Sequence, residues 1–388
     1  MTTRKLFALS TMILTNLFVF ASPSFLELCK EGSPEEVLIA LNKGASIDER
    51  DNNGVTPLMY AALNNQNPEI ITTLLNAGST ITEKDINGTT PLMYAALNNK
   101  NPEIITTLLN AGSKVTEQNQ DGETPLLWAS LYNQNPGIIL TLLNAGSTVT
   151  EKDNDGLTPL LCAVVNNQNP EIVTTLLNAG SKVTERNPEG NTPLLLAALH
   201  SQNPDIITTL LNAGSKITER NQEGNTPLLC AVINNQNPDI ITALLNAGSQ
   251  ITEQDTNGTT PLLYAAIYNQ NPEIITTLLN AGSTITEKDK NTMTPLLYAA
   301  LNNQNPQIIT TLLNAGSNVM EQDRDGWTPL ICAAIHNQNP EIITTLLNAG
   351  STVTELDNNG MTPLIYAVGN NQNPEIVTTL LNAGSKVT

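Results

Sequence analysis

The chain has 388 residues, with 36 Asp and Glu against 17 Lys and Arg and a formal charge of −19. Such a body repels nucleic acid and anionic lipid surfaces, so neither is expected as a partner. Beyond the N-terminal segment the only aromatic residues are Phe25, Trp128, Trp327 and seven Tyr, so any core has to be aliphatic.

The N-terminal segment MTTRKLFALSTMILTNLFVFASPS carries Arg4 and Lys5, then an apolar run from Leu6 to Ala21, then small residues. That order is the order of a secretory signal. Val19 and Ala21 suit the minus-three and minus-one positions, and a cut after Ser22 would leave Pro23 at plus one. Cleavage is therefore expected after Ala21, making residues 1–21 the signal peptide. The run falls short of the roughly 20 apolar residues a membrane span needs, which counts against a retained anchor. The mature chain is expected to be exported, either to a periplasm or outside the cell, with no membrane segment.

The stretch NQNPEIITTLLNAGS at 65–79 returns in near-copies at 99, 133, 167, 201, 235, 269, 303, 337 and 371. The step is always 34 residues, so the chain is one supersecondary unit repeated and the body is a solenoid. In the unit that starts at Asp51, Thr56 followed by Pro57 is a helix N-cap with proline at the first helical position. Asn67 followed by Pro68 repeats that pattern, and Glu69 places negative charge in the first turn, where the helix dipole favours it. Ile70, Ile71, Leu74 and Leu75 form one apolar stripe, and Gly78 suits a left-handed C-cap. The twelve residues STITEKDINGTT that follow are rich in β-formers and contain Asn87-Gly88, which predicts a β-hairpin. Helices this short are marginal alone, so their stability has to come from stacking.

The pattern D-x-x-G-x-T-P-L-x-x-A-A followed by L-L-x-A-G resembles the ankyrin repeat, with Thr-Pro-Leu present ten times in register. The resemblance implies an all-α-type solenoid of helix-turn-helix plus β-hairpin units, with a capping unit at 22–53 and ten repeats over 54–388, the last incomplete. The tetratricopeptide unit, also 34 residues, lacks Thr-Pro-Leu and has no room for a twelve-residue hairpin. Three departures stand out. The unit is one residue longer than usual, and the extra residue falls in the turn NNQN, which is expected to lengthen a solvent-facing loop. The usual His after Thr-Pro-Leu is replaced by Met59, Leu127, Ile331 and their equivalents. Thr292 stands where nine copies have the turn Gly, so that tip is expected to be strained or differently shaped. At the C-terminal end Ile376, Val377, Leu380 and Leu381 stay apolar, which leaves this end either meeting something or fraying.

Little in the sequence supports chemistry. His200 and His336 are four repeats apart, about 40 Å at ordinary helix spacing, and no Walker, G-x-S-x-G or H-E-x-x-H motif occurs. Cys162, Cys230 and Cys332 share one place in their repeats, too far apart for a disulfide, and with Cys29 they read as small core residues. Glu151, Asp153, Asp155 and Gly156, like Glu321, Asp323, Asp325 and Gly326, match the opening of a calcium loop. Cys162 and Cys332 stand where its last ligand is needed, so these read as turns. No enzyme activity, metal or cofactor is expected.

The copies differ at few places. In the ankyrin family those places line a concave groove that binds a protein or peptide partner. The residue after the turn Gly varies and includes Leu157, Met293, Trp327 and Met361. A position near the end of the first helix carries a ring in every second repeat, at Tyr132, His200, Tyr268 and His336. These eight residues are the candidate partner-binding positions, with Met293, Trp327, His336 and Met361 as the densest cluster. The rings are either binding anchors or passengers of a duplicated two-repeat block. The resemblance implies a non-enzymatic interaction scaffold. The alternative is an assembly element that stacks end to end through its last repeat.

Overall fold

The computed structural model describes residues 24–255 and 257–386, so the expected signal peptide lies outside the described residues. Twenty-two helices in eleven pairs run from α1 (Phe25–Glu31) and α2 (Pro34–Asn42) to α21 (Pro363–Asn370) and α22 (Pro374–Asn382). Each first helix packs on the first helices of the neighbouring pairs, each second helix on the second helices, and the two helices of a pair pack on each other.

The unit α3 (Pro57–Asn64) and α4 (Pro68–Asn76) shows why these residues make these elements. The Thr56 hydroxyl accepts the Met59 N–H, and Asn67 Oδ1 accepts the Glu69 N–H at 3.0 Å, so both prolines sit just inside a capped start. Gly78 closes the second helix at φ 108°, with its N–H on Leu75 O. Ile70, Ile71 and Leu74 are fully buried with Leu58, Met59, Ala61 and Ala62, and Leu75 packs half-buried against them. The paired alanines at the stacking surface let first helices approach closely, and one aliphatic core runs through the whole described array.

Two expectations change. Among the described residues the loop forms no strand. Asp85 N–H donates to Thr89 O at 3.1 Å, but the return bond from Thr89 N–H goes to the Asp85 carboxylate at 2.7 Å, not to its carbonyl. A side chain thus replaces the second rung, and the predicted β-hairpin becomes a pair of tight turns. Nor is the long helix-to-helix turn merely a solvent-facing loop. Asn99 is buried, and its Nδ2 donates to Ala62 O at 2.8 Å and Asn65 O at 2.9 Å in the preceding unit, while its Oδ1 accepts the Asn101 N–H. Asn101 Nδ2 donates to Gln66 O at 2.8 Å. The extra residue makes room for two asparagines that each reach back across the stack, and the pattern continues to Asn371 and Asn373.

Candidate interaction face

The loop turn and the first helix of a unit are tied by one Asp. Asp85 Oδ1 accepts the N–H groups of Asn87 and Thr89, while its Oδ2 accepts the Tyr94 phenol at 2.9 Å. The same Asp-to-Tyr bond recurs at Asp51 and Tyr60, Asp255 and Tyr264, Asp289 and Tyr298, and Asp357 and Tyr366. Burial first, then the neighbouring carboxylate, pushes the Tyr60 phenol up to about 12 and the phenols of Tyr94, Tyr264 and Tyr298 higher still. These hydroxyls stay protonated and hold their rings in place. Where Asn119 replaces the Asp, Glu123 takes over, accepting Trp128 Nε1–H and the Asn119 amide, each at 2.7 Å. The nine-residue Asp-to-Tyr spacing is visible in the sequence but points to nothing until the loop is folded.

The fixed rings carry further rings. Trp128 meets Tyr94 edge-on at 6.2 Å and Tyr132 edge-on at 6.3 Å. Tyr268 stacks on Tyr264 at 6.1 Å and is 54% exposed. Trp327 meets Tyr366 edge-on at 5.8 Å. Among the candidate positions, His200 and His336 are also exposed, and Tyr132, Trp327 and Met361 are half-buried. Leu157 and Met293 are buried in the core cluster and offer a partner little surface. At the position after the turn Gly, Leu157 and Met293 are covered, whereas Trp327 and Met361 keep part of their side chains exposed. The apolar residue one place before the end of the first helix packs half-buried on the core at Leu131, Val165 and Leu199, and Ile335 is buried.

A second column was not singled out by sequence. In the loop between units a Glu turns back to the capping Thr 27 residues earlier, as in the hydroxyl bonds of Thr226 to Glu253, Thr260 to Glu287, Thr294 to Glu321 and Thr328 to Glu355. Burial pushes Glu151 and Glu185 up to about 7, against the opposing bonds from Thr124 and Thr158. In these units the Glu carboxylate is the partner of the capping Thr hydroxyl. This leaves the apparent calcium loops with other engagements. Asp153 Oδ1 accepts the Asp155 and Leu157 N–H groups, Asp323 Oδ1 accepts those of Asp325 and Trp327, and Glu321 lies against Thr294. All four cysteines are buried and unpaired, and burial raises every thiol, Cys29 and Cys230 to about 12. None is poised as a nucleophile.

The family model described as ankyrin repeats (3 copies) matches seven overlapping windows from 25–119 to 296–388. The chain belongs to the ankyrin-repeat family. Ankyrin arrays are protein–protein interaction scaffolds, and the match indicates no catalytic family. No curated protein shows a significant match to the chain.

Proposed function

We propose that this array is an exported, non-enzymatic scaffold that binds a protein or peptide across the face formed by its loop turns and first-helix rings. The observation that carries the reading is the set of rings held in place from behind. Tyr268 lies exposed on a Tyr264 ring whose hydroxyl is fixed by Asp255, and Trp327 leans on Tyr366, fixed by Asp357. Aromatic side chains already ordered before contact lose little freedom on binding and make good anchors. Tyr132, His200, His336 and Met361 extend the same face, and the acidic balance favours a basic partner. The test is affinity capture with cross-linking from the exported fraction of native cells. Links from Lys288 or Lys290 to one foreign protein, lost in a Tyr268→Ala, Trp327→Ala variant that keeps its helix content, are the expected result. Capture unchanged in that variant would remove the ring face from the reading. Export has its own check, since the mature chain should begin at Ser22, and a native chain that begins at Met1 would contradict it.

A second reading has one specific observation behind it. Ile365 and Val368 on α21 are 43% and 68% exposed, although their counterparts in the preceding unit, Ile331 and Ala334, are fully buried by stacking. Such a face accommodates another stacked unit. A second copy is a poor match through its first unit, because Gly32 occupies the place that Asn65 holds in the next unit and so offers no amide to continue the ladder. Concentration-dependent growth of the purified chain, abolished by Val368→Glu, would favour end-to-end assembly over the groove.

A further inference from the structure

The units are not fastened equally. At most of the described interfaces the buried asparagine of one unit donates two bonds into the unit before it, as Asn133 does to Ala96 O at 2.9 Å and Asn99 O at 3.0 Å. On the opposite edge a loop N–H donates to the preceding loop, as Asn154 N–H does to Asp121 O at 3.0 Å. Between units 153–186 and 187–220 both fastenings are missing. Ser201 stands at the asparagine position. Its Oγ still accepts the Asn203 N–H at 3.1 Å, but it turns its proton to Asn203 O within the same turn and sends nothing to Val164 O or Asn167 O. Serine keeps the acceptor function of asparagine and lacks the amide that crosses the interface. Pro188 stands at the loop position and has no N–H to give to Asp155 O. Its ring lies instead beside Gly156, whose Cα offers no side chain to meet it.

What remains is the outer rung, Asn203 Nδ2 to Gln168 O at 2.9 Å and Gln202 N–H to Gln168 Oε1 at 3.1 Å, the Arg186 guanidinium donating to Gly190 O and to Arg220 O at 3.0 Å, and the apolar contact of α9 (Pro159–Asn166) and α11 (Pro193–His200). The loop edge keeps no backbone rung and is tied only by the exposed Arg186 side chain, so it is the side held more loosely. The next interface regains the ladder, through Asn235 to Ala198 O at 3.1 Å and Ser201 O at 2.7 Å. We infer that the array articulates here, as a block ending at residue 186 and a block starting at 187, pivoting on the Gln168 and Asn203 contact. The rings divide along the same line. Tyr60, Tyr94, Trp128 and Tyr132 lie before it, and Tyr264, Tyr268, Tyr298, Trp327 and Tyr366 after it, while Cys162, Leu196 and Cys230 hold the equivalent positions around it. The articulation lets two aromatic surfaces set their mutual angle.

That use of the hinge rests on the proposed interaction face, whereas the hinge itself is tested on the free chain. Hydrogen exchange of the full chain should show the amides of α9 and α11 exchanging at least about tenfold faster than those of α5 (Pro91–Asn98) and α7 (Pro125–Tyr132), as two or three absent bonds imply. Ser201→Asn, which restores the residue found in the other copies, should remove that difference. Spin labels at exposed Asn144 and Asn246, which straddle the seam, should give a broader distance distribution than labels at Asn246 and Asn348, which have equal unit separation and no seam. Ser201→Asn combined with Pro188→Gln should narrow the first distribution to the width of the second. Uniform exchange along the array, equal widths, or a difference that survives both substitutions would overturn the inference.

Discussion

At the helix-turn edge Asn99 and Asn101 both donate into the preceding unit, whereas at the loop edge Asp85 and Glu253 engage groups of their own unit. Neutral amides therefore hold the stack together along one side, and carboxylates shape each loop along the other. Amides carry donors and an acceptor on one side chain, so an asparagine can cap its own turn and reach a neighbour at once. A carboxylate only accepts, so it closes local turns and responds to pH. The edge carrying the buried asparagine ladder scarcely varies between copies, and the edge where carboxylates close the loops is where copies differ.

The largest effect should come from breaking the amide edge. Asn133→Ala removes two bonds to buried carbonyls and the acceptor for the Asn135 N–H. Leaving buried carbonyls without donors should cost about 3 kcal/mol locally. Urea titration should show a second, earlier transition, and the amides of α5 and α7 should lose protection together. A change confined to the Asn133 turn would mean the ladder does not couple units.

The carboxylate edge should respond to pH. Glu151 and Glu185, pushed up to about 7 by burial, bind protons in the folded chain that an unfolded Glu releases near 4.5. Between those values the folded state holds more protons, so stability is fullest near pH 4.5 and falls as pH rises through 7. Glu253, Glu287, Glu321 and Glu355 are raised in the same direction and add to the trend. Asp255 behaves oppositely. Burial raises it, but bonds from Thr259 N–H and the Tyr264 phenol outweigh that and hold it below its ordinary value, so its contribution fades only in stronger acid. The urea midpoint should be higher at pH 5 than at pH 7.5. A Glu151→Gln, Glu185→Gln variant should flatten that slope, and an unchanged slope would locate the titration elsewhere.

The contrast between edges also explains what could be read in advance. Helix starts at Thr56-Pro57 and Asn67-Pro68 were legible because a cap is a local arrangement. The stripe Ile70, Ile71 and Leu74 was legible because its period is local too. The role of Asn99 depends on carbonyls 34 and 37 residues earlier, so a turn that is polar in sequence looked exposed. Leu157 and Met293 varied between copies and so resembled groove positions, but variation at a covered site can be repacking as well as recognition. The loop resembled a hairpin because its composition is that of one. The side-chain bond from the Thr89 N–H to Asp85, which replaces the ladder, has no compositional mark.

The smallest expected effect isolates one loop from its edge. Thr292 adopts φ 66°, the one non-glycine residue at positive φ among the described residues, yet its N–H still reaches Asp289 O at 3.0 Å, as Gly88 N–H reaches Asp85 O at 3.1 Å. The tip keeps the glycine shape despite a β-branched side chain, and the Thr292 hydroxyl is buried without a partner. A left-handed conformation costs a non-glycine residue roughly 1–2 kcal/mol. Glycine loses more freedom on folding, which offsets part of that, so Thr292→Gly should stabilise by about 1 kcal/mol. The reverse change is cleanest at Gly224, where φ is 82° and an added Cβ meets nothing within 4 Å. Gly224→Thr should lose a similar amount, read as a shift in urea midpoint. Equal and opposite shifts would show that strain at the loop edge stays within its unit. A larger loss at Gly224, next to the weakly bound Gln222 N–H at 3.4 Å from Glu189 O, would show that strain spreading to the neighbouring loop.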